Sequence, residues 1–310
     1  MTIFEIFKQA VELGIEHDFR PREEVLNYHW QEEIKNGAGE SFVNPYADTG
    51  VAYVKDLNVG VARVAVGLDL AQDELLAIEE WEEDNNKKVD LFISHHPRGR
   101  VLISFPHILK TQIGNLKSQG VDTEGLEKYY DERLKEALDE TLSINFYRTY
   151  DTLKLLKRNY INIHTPLDNV SVRFIQESLQ KSGAETLGDC VEALAGIPEY
   201  KTLTDDCGIR PAIQLGKPSD KLGKALFTEF TGGEEGPIEV YRHMKRSGVD
   251  TLVVMHMTAD ALDEIKKLGM NVVAAGHIAS DSIGMNLFCD ILEDKGIEVV
   301  PLGGLVRCHH

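Results

Sequence analysis

Cysteine is scarce in this chain. The four present, Cys190, Cys207, Cys289 and Cys308, lie far apart in 310 residues and form no Cys-x-x-Cys pair. This argues against a thiolate zinc site and a disulfide framework, and predicts reduced, mostly buried thiols. Positive charge is also short: 51 acidic residues against 33 basic ones give a formal net charge of −18. A field of that sign repels the phosphates on which nucleic-acid binding depends, and it suits the capture of cations. No stretch reaches the roughly 18 consecutive apolar residues that span a bilayer. The opening Met-Thr-Ile-Phe-Glu-Ile-Phe-Lys lacks the cationic region and long apolar run of a leader. The expectation is a soluble cytoplasmic protein with neither a membrane nor a nucleic-acid partner. Phosphate loops, dinucleotide fingerprints and Gly-x-Ser-x-Gly elbows are missing too, even in the glycine-rich stretch Gly232-Gly233-Glu234-Glu235-Gly236.

What is present is an alternation of apolar β-branched runs with amphipathic ones, the mark of an α/β protein with a mainly parallel sheet. Strands are expected at Val59–Leu68, Val89–Ser94, Tyr160–Ile163, Thr251–Met255, Asn271–Ala275 and Ile297–Pro301. Helices are expected at Ala71–Glu83, Ala259–Leu268 and Ser282–Asp294, with Gly269 capping the second of these. Between Arg98 and Tyr150, Leu126, Tyr130, Leu134, Leu138 and Leu142 recur every fourth residue among charges. This predicts an exposed amphipathic helix that packs on the core, covers a site or meets another subunit. Residues 204–237, rich in glycine and polar side chains, read as turns and loops joining two lobes. A short internal echo pairs Val89-Asp90-Leu91-Phe92-Ile93-Ser94-His95-His96 with Val249-Asp250-Thr251-Leu252-Val253-Val254-Met255-His256, a hint of a duplicated lobe.

The chain has eleven histidines, and their placement carries the chemistry. His95 and His96 follow an apolar strand directly, where ligands of open α/β sheets gather. Neighbouring side chains on an extended chain point to opposite sides, so this pair reaches two ions more readily than it chelates one. The segment His164-Thr165-Pro166-Leu167-Asp168 again follows a strand, with Thr165 as a helix cap and Asp168 in the opening turn. In Gly276-His277-Ile278-Ala279-Ser280-Asp281, Asp281 is either a ligand or the cap of the helix expected from Ser282. Three strands lead into histidine, and two of those histidines have aspartate four positions later. His95, His96, Asp168, His277 and Asp281 thus form a donor set for divalent ions. Imidazole and carboxylate without thiolate suit zinc, iron, manganese, cobalt or nickel without choosing among them. Five donors over two ions leave positions open for water. His164 is a hydrogen-bond partner behind the donors or a proton shuttle.

These three segments resemble the signatures of the Ngg-interacting factor three-like family, whose members are often described as GTP cyclohydrolase I type 2 homologues. The likeness covers most of residues 55–100 and 148–310. It implies two related α/β lobes, with mixed or mainly parallel sheets and a dinuclear metal centre in the cleft between them. It also implies subunits that commonly assemble into ring-shaped hexamers. The lobes would divide near residues 1–175, with the helical insertion at 98–150, and 176–310, or interleave, with the C-terminal segment completing the first. Three departures stand out. The family usually has glutamate where Asp281 stands, small and glycine residues where Asn169-Val170-Ser171-Val172 stand, and a shorter stretch where Arg98–Tyr150 lies. The function implied is a metal-dependent hydrolase of cyclohydrolase kind acting on a small molecule not identified by the sequence. The alternative is a non-enzymatic metal carrier or regulatory scaffold using the same site.

Overall fold

The computed structural model describes residues 1–233 and 235–310. Glu234, in the glycine-rich stretch read as loop, lies outside the described residues. Among the described residues, eleven strands run in chain order as β1 (Glu32–Lys35), β2 (Ser41–Asn44), β3 (Gly50–Tyr53), β4 (Arg63–Gly67), β5 (Leu91–Ser94), β6 (Tyr160–Asn162), β7 (Ala212–Leu215), β8 (Ala225–Phe227), β9 (Thr251–Val254), β10 (Asn271–Ala274) and β11 (Glu298–Leu302). They build a mixed, mainly parallel α/β protein of two lobes. The first sheet has the order β11-β4-β5-β6-β3, and the second β7-β10-β9-β8. In each, all neighbours are parallel except one antiparallel edge strand, β3 or β7. The last strand, β11, belongs to the first sheet, so the chain returns there at its end. Strands β1 and β2 pair as a separate hairpin.

The Val-Asp echo has a physical basis. Asp90, just before β5, accepts from the backbone N–H groups of Ala62 and Arg63 at the mouth of β4. Asp250, just before β9, accepts from Lys224 N–H at the mouth of β8. In both lobes the aspartate pins the start of the neighbouring parallel strand, satisfying donors that the ladder has not yet reached.

Two helix starts and one loop region differ from expectation. The helix after β10 spans His277–Asp294, one turn earlier than its expected start. Gly276, at φ +107, turns the chain immediately after the strand, so winding starts at once. Thr165 does not cap its helix, because its hydroxyl is committed to Asp48 at 2.6 Å and His164 holds the cap position. Residues 204–237 contain β7 and β8 as well as loops; both strands are short, and polar or glycine residues flank them. Gly269 does end Ala259–Leu268 in the left-handed conformation. All four cysteines are free, with Cys190 and Cys289 buried, Cys207 exposed and Cys308 between.

The two lobes are joined chiefly where helix His277–Asp294 lies against helix Thr165–Ser182. Met285, Phe288, Cys289 and Leu292 of the former sit in the first lobe's core, while Ala279 and Ile283 sit in the second's. The axes approach so closely that a β-carbon at Gly284 would collide with the Leu167 carbonyl and the Ser171 hydroxyl. Ser171 Oγ accepts from Gly284 N–H at 2.8 Å, which gives one of the departures from the family pattern a packing role. The helix bearing Asp168 is gripped on another side by Gly14, where a β-carbon would strike Pro166.

Replacing Gly284 by alanine is therefore expected to destabilise the protein. The ~1 kcal/mol that alanine gains in helix propensity is outweighed by forced separation of two packed helices, for a net loss of about 1–3 kcal/mol. Denaturant midpoints of wild type and Gly284→Ala check this; an unchanged or raised midpoint contradicts the close approach.

Candidate metal centre

Each lobe delivers side chains to one place. Adjacent parallel strands β5 and β6 of the first sheet end in His95, His96 and His164. Adjacent parallel strands β9 and β10 of the second end in His256 and His277. The helices following β6 and β10 carry Asp168 and Asp281 one turn from their starts. Asp281 lies inside its helix rather than at the N-cap, so capping does not explain it.

The donors form two triads that share Asp281. In one, His277 Nε2 lies 2.9 Å and His96 Nε2 3.1 Å from Asp281 Oδ2, with the two ring nitrogens 3.3 Å apart. In the other, His95 Nε2 lies 3.1 Å from Asp168 Oδ1 and 3.7 Å from Asp281 Oδ1. Each triad's ligand atoms fall within 4.8 Å of one another. His95 and His96 go to different triads of these two, in keeping with the alternation of an extended chain, and both also lie within reach of His164 in a third such group. The aspartate at 281, one methylene shorter than the family's glutamate, still reaches both.

His95 Nε2 and Asp168 Oδ1 are 3.1 Å apart yet form no hydrogen bond with each other or with any other group, and both are buried. Leaving such atoms unpaired costs about 1–3 kcal/mol each, and a cation placed between them removes that cost. The residues present therefore fit a divalent ion.

Behind the donors, each imidazole of the first lobe is held through its other nitrogen. His95 Nδ1 donates to the Ile163 carbonyl at 3.1 Å. His96 Nδ1 meets Asp69 Oδ1 at 3.1 Å, and His164 Nδ1 meets Asp48 Oδ2 at 2.7 Å. Holding the proton on Nδ1 leaves Nε2 free to bind or act, the usual arrangement behind metal-ligating histidine. Sequence reading did not find Asp48, which arrives from a loop before β3, more than a hundred residues from His164. Asp69 follows β4, and its place at the edge of the parallel sheet was the available signal.

The electrostatics of the cluster favour positive charge among the carboxylates. Burial opposes charge on His95, but Asp281 and Asp168 overcome it and hold the imidazole well above its ordinary pKa. His96 is likewise raised, with burial opposed by hydrogen bonds to Asp281 and Asp69. Asp281 is held well below the carboxylate range; burial works against this, and His95, His277 and His96 prevail. Protons on the imidazoles here do what a metal would do, neutralising two buried carboxylates.

The sequence-selected residues His95, His96, His164, Asp168, His277 and Asp281 thus all come together. His256, which sequence reading left aside, lies tilted against His277 with ring centroids 4.9 Å apart. Burial and the neighbouring His277 lower its pKa. A further acidic group, Asp290, Glu293 and His309, is occupied by the Arg307 guanidinium at 2.5 Å and 2.7 Å and needs no ion.

Four donors, His96, Asp168, His277 and Asp281, open onto a cavity of about 470 Å³. Its wall includes Ala137, Glu140 and Thr141 from helix Glu127–Thr141, so the expected amphipathic helix covers the site. Among the described residues, no helix is long and apolar enough to cross a membrane.

No family model matches the chain, and no curated protein matches it. Solved structures do. A NIF3 superfamily protein from Sphaerobacter thermophilus is 25% identical over 96% of this chain and 98% of that one, with a TM-score of 0.74. Reduced HcgD from Methanocaldococcus jannaschii shares the fold at 14% identity and a TM-score of 0.54, over 97% and 98% of the two chains. In its strand-end motifs and in a fold matched over almost its whole length, this chain is similar to NIF3 superfamily proteins.

Proposed function

We propose that this protein is a hydrolase that holds two divalent ions between His95, His96, Asp168, His277 and Asp281, with Asp281 contributing to both. The observation that carries the enzymatic reading is the cavity of about 470 Å³ on which four of these donors open. A carrier needs only to hold its ions, whereas a pocket within the usual 300–1,000 Å³ range has room for a small molecule beside them. Bound ions would supply Lewis acidity and a water of lowered pKa. The chain's own part is to orient the substrate and handle its protons. His164 lines the cavity, and Asp48 secures its Nδ1. Nε2 is therefore the atom that takes or gives a proton. The helix bearing Ala137 and Thr141 restricts water around the reacting group. Ring opening of the cyclohydrolase type and hydrolysis of an ester make the same demands on these residues. Self-assembly fits the exposed apolar side chains of Leu142 and Tyr147 in the helical insertion and of Leu155 just after it. Light scattering of the loaded protein should return a multiple of the subunit mass; a sharp monomer peak removes this part of the reading.

Metal stoichiometry after identical loading tests the site. Asp281→Asn should lose at least one ion per subunit with the fold intact, because a neutral amide oxygen is a poorer donor. Asp281→Glu should keep both. Full stoichiometry in the asparagine variant contradicts the shared role of Asp281.

Turnover separates enzyme from carrier. Across nucleotide, ester and cyclic-amide panels, activity should vanish on chelation and return with one of the five candidate metals. Loaded protein that turns over nothing, yet passes its ions to a metal-free acceptor, supports the carrier instead. Once a substrate is found, Asp48→Asn should lower kcat about 10–100-fold with metal content retained. An unchanged kcat contradicts a role for the Asp48–His164 pair.

A further inference from the structure

The lining of the cavity beside the donor cluster combines two kinds of chemistry. Asp168 belongs to it, and the buried Oδ1 of that residue makes no hydrogen bond although His95 Nε2 lies 3.1 Å away. Glu229 and Glu235 add two further carboxylates. Leu102, Phe105, Pro106, Ile144, Phe230 and Met255 supply the apolar part of the wall. Among the described residues lining the cavity there is no lysine or arginine. Arg133 borders an adjoining cleft that also touches Glu235, and there it faces Glu136 and Glu140.

The two glutamates are placed rather than loose. Glu235 Oε1 accepts from Tyr241 Oη and Thr258 Oγ1, both at 3.1 Å. Glu229 accepts from Thr228 Oγ1 at 3.3 Å. Burial and the neighbouring Glu235 push the Glu229 carboxyl up to about 8, the response of an acid held beside a like charge. A cationic or proton-donating ligand group between the two would relieve that repulsion.

We propose that the cavity takes a substrate with an apolar or aromatic body and a nitrogen group, such as an amine, amidine or amino-substituted heteroaromatic ring. That nitrogen meets Glu229 and Glu235, while the hydrolysable group faces the donor cluster. The reaction assigned to this substrate rests on the metal-dependent reading above; its binding does not. A nucleoside triphosphate is a poor occupant. Its charge calls for arginine or lysine forks, and ions at the cluster would offset only part of that charge, leaving Glu229 and Glu235 against the rest.

Benzamidine, benzamide and benzoate test the charge rule, since the three are nearly the same shape and carry positive, zero and negative charge. Binding is measured by calorimetry or ligand-observed NMR on protein stripped of metal, so that no ion contributes. Benzamidine should bind at least about tenfold more tightly than benzamide, as expected for a charge-assisted hydrogen bond, and benzoate should not bind detectably. The E229Q/E235Q variant should abolish this preference. E235Q alone, changing a half-buried and hydrogen-bonded group, should reduce it with an unchanged thermal midpoint. Benzoate binding as tightly as benzamidine, or a preference that survives E229Q/E235Q, overturns the proposal. So does binding of guanosine triphosphate to metal-loaded protein as tight as that of benzamidine. The two readings fail differently: no ion uptake with the benzamidine preference intact defeats the metal reading alone. Normal uptake with no preference defeats this one alone.

Discussion

Everything at the candidate centre depends on how closely two helices cross. Helices Thr165–Ser182 and His277–Asp294 follow strands of different sheets, and each carries an aspartate one turn from its start. Because Gly284 lets the second lie almost on the backbone of the first, the two carboxylates reach the same space. A longer interaxial distance would separate Asp168 from Asp281 and divide the donors between the lobes. The contact is strengthened by Ser171, whose hydroxyl accepts from the Gly284 amide. It is also strengthened by Asn169, whose carbonyl oxygen accepts from Thr231 of the second lobe at 2.7 Å. The residues that depart from the family's small-residue run are thus absorbed into the join between lobes.

That crossing creates an electrostatic problem and the means of solving it. Asp168 and Asp281 are 3% and 1% exposed, and charges that deep persist only when paired or bound to cations. The chain surrounds them with imidazoles whose outer nitrogens are held by a backbone carbonyl or by Asp69 and Asp48. This constrains which nitrogen faces inward more tightly than packing alone could. A purely structural buried ion pair would align its hydrogen bonds, whereas His95 Nε2 and Asp168 Oδ1 stay close and unaligned.

Much of this was legible in the sequence because parallel strands end in a predictable place. β5, β6 and β10 are short, continuous apolar runs, and the residue after each lies at the carboxyl edge whatever the details of packing. That logic found His95, His96, His164 and His277, and helical spacing added Asp168 and Asp281. It failed for Asp48, whose partner His164 is distant in sequence and whose loop has no periodicity to place it. It misplaced the start of the last long helix because a glycine at positive φ permits winding without a side-chain cap. It missed β7 and β8, where strands of four and three residues are held by neighbours already in the sheet and show little pattern of their own. Glu229, at φ +62 in a stretch read as loop, could be assigned to the cavity only once both lobes were in place.

The central claim is that donors from both lobes converge on a pair of ions sharing Asp281. Anomalous diffraction at the absorption edge of the loaded metal, from crystals of the protein, tests it most directly. The account predicts two anomalous peaks about 3.5–4 Å apart. One would be bounded by His96, His277 and Asp281, and the other by His95, Asp168 and Asp281, with donor distances near 2.0–2.2 Å. Loaded crystals that show no peak there, or a single peak outside these six donor contacts, would contradict it.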